Sequence, residues 1–380
     1  MSGSYRIMFD GQAADADLYT ALVSLEVEES LDLPGAVQLV LPVQRSDDGD
    51  LTYVADQRLR PLANVAVVAM PAGSSSAQCI FDGYVLAHKL HLETGVTNAT
   101  LAVWGQDATW MMNLTEKVRE WVDVTDADVA AAIFAEYGIT PADANSADDS
   151  PSHTESGHSL MQRGSDIQFL RTLARRNGKI CRVACADTPG ARTGTFARPR
   201  LDGDPALTLT LNDPESWSVT ALDVDWDAAR PTEVRARQAL FNDATPEGVS
   251  ADATESGFDR LGARALADFT GQPMTVLLAA PVDDGGELTL RAGAVLREAD
   301  WFVRCEGDAD AERLGQVLRA GMIVAIQGIG ALHSGRYLVW SVRHRISADA
   351  HSMHFVLVRN AIGAAPAGGA GGLAGLLGGD

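Results

Sequence analysis

The feature that most restricts how this chain can fold is its hydrophobic period, which changes twice along the sequence. In the first 110 residues, apolar side chains recur at every second position in short runs: Leu22, Leu25 and Val27 open one, Val37, Leu39 and Leu41 form another, and Val65 to Met70 is continuously apolar. A period of two is the mark of strands with one buried face. Pro34-Gly35, Asp48-Gly49 and Asp82-Gly83 punctuate the runs, and Tyr84 to Leu92 and Ala99 to Trp104 flank the hairpin-like turn Glu93-Thr94-Gly95. Strands at this spacing predict a barrel or a sandwich.

The period then lengthens to that of a helix. Thr125 with Asp128 three residues on forms a capping box, Val129, Ile133 and Tyr137 share a face, and Gly138 and Pro141 end the helix. A second helix is expected to be capped by Ser165 with Gln168. Ile167, Phe169, Leu170, Leu173 and Ala174 make its apolar stripe, Arg171, Arg175 and Arg176 lie toward its C-terminal dipole, and Gly178 stops it. Between them, 142–157 is polar and reads as a surface loop. From Ile180 the strand pattern returns, with Leu207, Leu209 and Leu211, then Val219, Leu222 and Val224. A third helix is predicted over 258–269, with Gly271 behind it. Ile323 to Ile326, Tyr337 to Val342 and Met353 to Val358 read as closing strands, joined by Gly328-Ile329-Gly330 and Ser334-Gly335. Two β-rich blocks therefore bracket a helical middle.

At 380 residues and 46% hydrophobic composition the chain can bury several cores, which excludes a disordered protein. Its formal charge of −21 opposes a nucleic-acid surface spread over the whole molecule. Cys79, Cys181, Cys185 and Cys305 are too few and scattered for a disulfide framework and are expected to be buried thiols. Met1 to Asp10 lacks the apolar segment of a secretory signal, and no apolar run is long enough to span a bilayer, so assembly in the cytoplasm is expected. Residues 361–380, with Pro366 and eight glycines, read as a flexible tail.

Motifs for catalysis are incomplete. Gly157-His158-Ser159-Leu160-Met161 lacks the second glycine of a nucleophile elbow. His153 and His158 with Glu155 do not have the spacing that puts two imidazoles on one helical face. Asp308, Asp310 and Glu312 begin like a calcium loop, but Arg319 stands where a bidentate glutamate belongs, so a solvated acidic loop is expected. Cys181, Cys185, His344, His351 and His354 have no zinc-finger spacing, and the histidines are expected at a surface or an interface. Asp47-Asp48 and Asp283-Asp284 sit beside glycines in turn-like stretches. No catalytic residue, cofactor site or metal site is assigned.

The segment Glu155 to Gly178, with Ser165-Asp166, Phe169-Leu170, Leu173-Ala174 and the closing Gly178, resembles the phage late control protein D family, which also includes contractile-tail hub proteins and the N-terminal part of the valine-glycine repeat spike proteins of type VI secretion. A second stretch strengthens the likeness. Leu318 to Val324 contains Gly321 and runs into Gly328-Ile329-Gly330, then Gly335-Arg336-Tyr337, and ends on Arg359-Asn360. Phe81-Asp82-Gly83-Tyr84-Val85 and Trp104-Gly105-Gln106-Asp107 fall where the family has its first-barrel hairpin. The likeness runs in order over 5–362 and is weak over 186–300.

The resemblance implies an α+β, mainly β fold: two tail-tube-like barrels with a helical middle domain and an inserted α/β segment. It places the first barrel at 1–113, the middle domain at 114–190, the second barrel at 191–235 and 296–362, the insertion at 236–295 and a Gly/Ala tail at 363–380. It implies a homotrimeric baseplate hub of a contractile phage tail or injection system, a non-enzymatic adaptor between a six-fold inner tube and a three-fold spike. Its partners would be the tube protein, a separate spike protein and other baseplate proteins, with no membrane span and no strong nucleic-acid binding, and it would be assembled in the bacterial cytoplasm as part of a tail or injection particle. Two other readings are kept: a glycan-acting hydrolase of a phage or cell surface, suggested by acidic residues in β-rich blocks, and a hexameric tube protein with the same barrels.

Overall fold

The computed structural model describes residues 5–47, 49–71, 76–94, 98–146, 149–155, 159–239, 248–282, 285–347 and 350–364. Asp48, Gly95, Gly157, His158, Asp283-Asp284 and the tail beyond residue 364 lie outside them.

The first block contains β1 (Tyr5–Phe9), β2 (Gln12–Ala13), the short helix α1 (Ala16–Ala21), β3 (Ser24–Ser30), β4 (Ala36–Pro42), β5 (Asn64–Ala69), β6 (Gln78–His91) and β7 (Thr100–Asp107). β4 and β7 alternate strictly between buried and half-buried positions, as their period of two requires. A middle region follows: β8 (Glu116–Trp121), β9 (Val124–Thr125), α2 (Asp126–Glu136), β10 (Thr140–Pro141), β11 (Ser152–His153), β12 (Leu160–Ser165), α3 (Asp166–Arg176), β13 (Ile180–Cys185) and β14 (Arg192–Ala197). The capping box of α2 is present, with the Thr125 and Asp128 side chains each bonded to the other's backbone N–H. A separate core, with Phe134, Ile167, Leu170, Leu173 and Phe196, holds α2 and α3 against β13 and β14.

The second block opens with β15 (Thr208–Thr210) and β16 (Val219–Trp226). The chain then leaves for β17 (Glu233–Gln238), β18 (Val249–Ala253), β19 (Thr275–Leu278) and α4 (Gly285–Ala299), which share a small core of their own. It returns as β20 (Val303–Asp310), α5 (Ala311–Leu314), β21 (Ile323–Gln327), α6 (Gly330–His333), β22 (Gly335–Ile346) and β23 (His351–Arg359). The helix expected over 258–269 is absent. That stretch carries only a turn of 3-10 helix at Leu266–Asp268; ahead of it, the backbone at Asp259 and Leu261 is bonded to the Arg359 and Asn360 side chains and that at Ala263 and Arg264 to Ile362. The helix lies at α4, whose two opening glycines and internal Gly293 weaken its sequence signal.

The two blocks repeat one strand order. It is β3-β4-β7-β6-β5-β1 in the first and β16-β20-β23-β22-β21-β15 in the second. β6 and β22 even slip register against their neighbours at matching places, between Val85 and Ala87 and between Val339 and Ser341. One difference stands out: β1 runs antiparallel to β5, whereas β15 runs parallel to β21.

The expected pair of closed barrels is not what forms. β3 and β22 join the blocks into one 13-stranded sheet. A strand has only two edges, and with β4 on one edge of β3 and β22 on the other, β3 cannot bond to β6 and close the first block. One hydrophobic core underlies both blocks, from Ile7 and Val103 to Val324 and Leu357.

The loop ends depend on glycine where side chains cannot go. At Gly328, with φ +85°, a Cβ would stand 1.8 Å from the Leu211 carbonyl oxygen, while Gly330, with φ +81°, has open space around it. Gly328→Ala should therefore lower unfolding stability in urea by more than about 2 kcal/mol, and Gly330→Ala by only about 1 kcal/mol of backbone strain.

Candidate assembly surface

The β3–β22 seam has two faces. On one, Arg343 stands opposite Glu28 and Arg345 opposite Glu26, with N–O distances of 3.1 and 3.7 Å. On the other, Leu25, Val27, Val342 and Ile346 are buried. Alternation would put apolar groups at every inward position, yet Glu29 and His344 point inward too, and both are buried.

Around Glu29 lies a buried polar cluster drawn from three parts of the chain. Arg319 Nε donates to its carboxylate, Arg182 Nη2 of β13 lies 3.6 Å away and His344 Nε2 3.9 Å away. His344 Nδ1 meets His351 Nε2 at 3.0 Å. The Arg182 guanidinium also donates to the Ala320 carbonyl at 2.7 Å, and Arg319 reaches Cys185. Burial pushes the Arg182 pKa down; it is also the largest influence on Arg319, but there the charge of Glu29, its hydrogen bond and the neighbouring Cys185 and Cys79 together overcome it and raise the pKa. Burial, with His351 and Arg319 beside it, holds His344 well below the usual imidazole range, and burial brings His351 to about 4. The expectation of surface or interface histidines is thus corrected for these two. Asp308 and Asp310, expected in an acidic loop, lie in β20, and Asp310 caps α5.

The motif residues fall into separate places. Arg359 is fully buried, and no carboxylate pairs with it among the described residues. Its guanidinium donates to the carbonyls of Leu261, His333, Ser334 and Gly363 at 2.6 to 3.3 Å. Asn360 accepts from Leu261 N–H at 2.9 Å and donates to the Asp259 carbonyl at 3.0 Å. Tyr337 lies under the guanidinium and bonds the His333 carbonyl at 2.7 Å; burial raises its pKa to about 12. A Cβ at Gly335 would meet Arg359 Nη2 at 2.7 Å. Gly335, Tyr337, Arg359 and Asn360 therefore form one clamp, with Gly330 opening the short helix that carries His333. Gly328 sits apart against Leu211, and Gly321, with φ +94°, borders Leu31 and Arg182.

In the middle region Phe169, Leu170 and Leu173 are core residues. Ser165 does not cap α3 through its side chain; its hydroxyl donates to Asn113 Oδ1 at 2.6 Å. Asp166 is buried and accepts from Lys117, Tyr137 and Gln162, each at 2.6 Å. Burial alone would raise its pKa, but those hydrogen bonds and the Lys117 charge hold it below the usual carboxylate range. Gly178, with φ +61°, ends α3 where Arg297 of α4 packs against it and donates to the Asn177 carbonyl at 3.0 Å. Sequence reasoning missed the cluster around Glu29. The signal was the interrupted alternation in Leu25-x-Val27-x-Glu29.

This architecture is that of phage tail and type VI secretion components. The 43 kDa tail protein of prophage MuSo2 from Shewanella oneidensis is 15% identical, with 94% of this chain and 98% of that one covered and a TM-score of 0.63. A tail protein from Neisseria meningitidis MC58 is 12% identical over 95% and 97% of the two chains, also with a TM-score of 0.63. The E. coli c3393 protein, a component of the type VI secretion system, is 12% identical over 95% and 79%, with a TM-score of 0.55. At these identities the likeness is one of fold. The family described as Alg8 N-terminal domain matches residues 2–348, and the chain belongs to it. No curated protein matched the chain. Among the described residues no helix is long and apolar enough to cross a membrane.

Two predictions follow from the seam. Glu29→Ala leaves Arg319 buried without its counter-ion and should cost about 3 to 5 kcal/mol in urea unfolding, against under about 1 kcal/mol for the half-exposed Glu28→Ala. The folded protein resists protonating His344 and His351, whereas the unfolded chain takes up those protons near pH 6.5. Stability should thus be full above pH 6.5 and fall as pH drops from 6.5 toward 4, by about 1.4 kcal/mol per pH unit for each histidine. Urea titrations at pH 7.0 and 5.5 check this, and His351→Gln should reduce the slope by about one proton.

Proposed function

We propose that this protein is the structural hub of a contractile phage tail or phage-derived injection system, a homotrimer joining a six-fold inner tube to a three-fold spike. The observation that carries the reading is the single strand order written twice in one chain. Three copies then present six similar modules to a six-fold neighbour while keeping three-fold symmetry for the other. A hexameric tube protein would need only one such module per chain.

In this reading 1–113 and 191–235 with 296–362 are the two tube-like modules, 114–190 is the domain between them, and 236–295 is an elaboration of the second module. The motif glycines and the Arg359-Asn360 clamp fix strand ends and loop geometry; their role is structural, and no catalytic step is assigned. The partners are a tube protein, a spike protein and other baseplate proteins. The likeness in fold to the type VI secretion component and to the prophage tail protein supports this without distinguishing the two settings.

Native mass measurement and negative-stain imaging, alone and after co-expression with a tube protein and a spike protein from the same genome, test the proposal. A three-copy ring with six lobes on one face is expected; a chain that stays monomeric with its neighbours present overturns it.

A further inference from the structure

The internal repeat predicts how one copy meets the next. In the second block β22 forks. Its first half pairs with β21, from Gly335 to Leu338, and its second half, Ser341 to Ile346, pairs with β3. β6 is its counterpart and forks the same way, with Gln78 to Tyr84 on β5. Among the described residues, however, no strand pairs with the outer edge of its second half, Leu86 to His91. At the far end of the row β16-β20-β23-β22-β3-β4-β7-β6, strand β16, the counterpart of β3, pairs with β20 alone. One chain therefore carries a made joint in its middle and the two unmade halves of the same joint at its ends.

The register of the made joint can be transferred. Superposing the two bulges sets Lys89 on Arg343 and His91 on Arg345. Following the ladders through β7 and β4, and through β23 and β20, sets Asp225 on Glu28 and Asp223 on Glu26. The internal cross-strand pair Arg343–Glu28 then has a counterpart of the same sign, Lys89–Asp225, and Arg345–Glu26 corresponds to His91–Asp223, a nitrogen donor opposite a carboxylate. Exposure agrees. His344 and Ile346 are buried at the internal joint, whereas their counterparts Leu90 and Leu92 are 38% and 56% exposed. Trp226, the counterpart of the buried Glu29, is 41% exposed.

We infer that the second half of β6 pairs antiparallel with β16 of a second copy of this chain, with Lys89 opposite Asp225 and His91 opposite Asp223. The inference rests on the ring of three proposed above and assigns its interface. Strand directions alternate along the whole row, so β6 and an incoming β16 meet antiparallel, as β22 and β3 do. The contact is head-to-tail, with a different surface on each copy, which is the kind that closes into a ring. Closure also covers the open edge of β16 and the open half of β6, which would otherwise invite indiscriminate pairing.

The test uses the full chain with Lys89→Cys and Asp225→Cys together. Residues directly opposite across antiparallel strands stand within disulfide range. Mild oxidation should give covalent dimers and trimers on denaturing gels; each single variant should give none, and the pair Leu90→Cys with Asp225→Cys, one position out of register, should give far less. Independently, Lys89→Glu should raise the concentration for half-assembly by about fivefold, and adding Asp225→Lys should restore it. A trimer by native mass that cross-links only out of register, or not at all, overturns this register and leaves the ring standing. A chain that stays monomeric at every concentration overturns the ring and the interface with it.

Discussion

The structure depends on the competition for the two edges of strand β3. Had β3 turned back on its own block, the chain would hold two separate modules. Instead β22 claims its outer edge, and the two repeats become one sheet over one core. The commitment is enforced from both faces: by the cross-strand ion pairs at Glu26 and Glu28, and by buried Leu25, Val27, Val342 and Ile346. A register slip of one residue would exchange those faces, so the joint has one arrangement available to it.

The Glu29 cluster sits where this joint meets the middle region through Arg182 and the loop before β21 through Arg319. Buried ion pairs are weak sources of net stability, but they punish misassembly, because a charge left behind in the core has no water to turn to. Docking of the middle region brings the Arg182 charge to 3.6 Å from this inward glutamate, an ion pair that leaves Glu29 Oε2 without a hydrogen-bond partner among the described residues. The Arg359 clamp works on the same principle with neutral partners, gathering carbonyls from three segments that have no strand to bond to.

Much of the local structure was legible in the sequence, and for identifiable reasons. The capping box at Thr125 and the stripe from Ile167 to Ala174 are local signals, and α2 and α3 formed where they point. Strands such as β4 and β7 followed their period of two. Non-local choices were hidden. Nothing in Ser24 to Ser30 says which strand will lie beside it, so the two blocks read as closed barrels when they are joined. The apolar spacing of Phe258, Leu261 and Leu266 imitates a helix, but it arises because an irregular segment packs its side chains inward while Arg359 and Asn360 occupy its backbone. Glu29 and His344 were visible only as breaks in alternation, the kind of exception that marks a specific burial.

Arg297 gives the excursion between β16 and β20 a meaning beyond decoration. Its one guanidinium donates to the carbonyls of Ser256, Asn177 and Leu290, and desolvation lowers its pKa to about 10. Leu290 lies on α4 itself, so one side chain ties α4 both to the end of α3 and to the loop at Ser256, and fixes the excursion to the middle region. A displacement of the end of α3 would therefore pull α4 and the Ser256 loop with it.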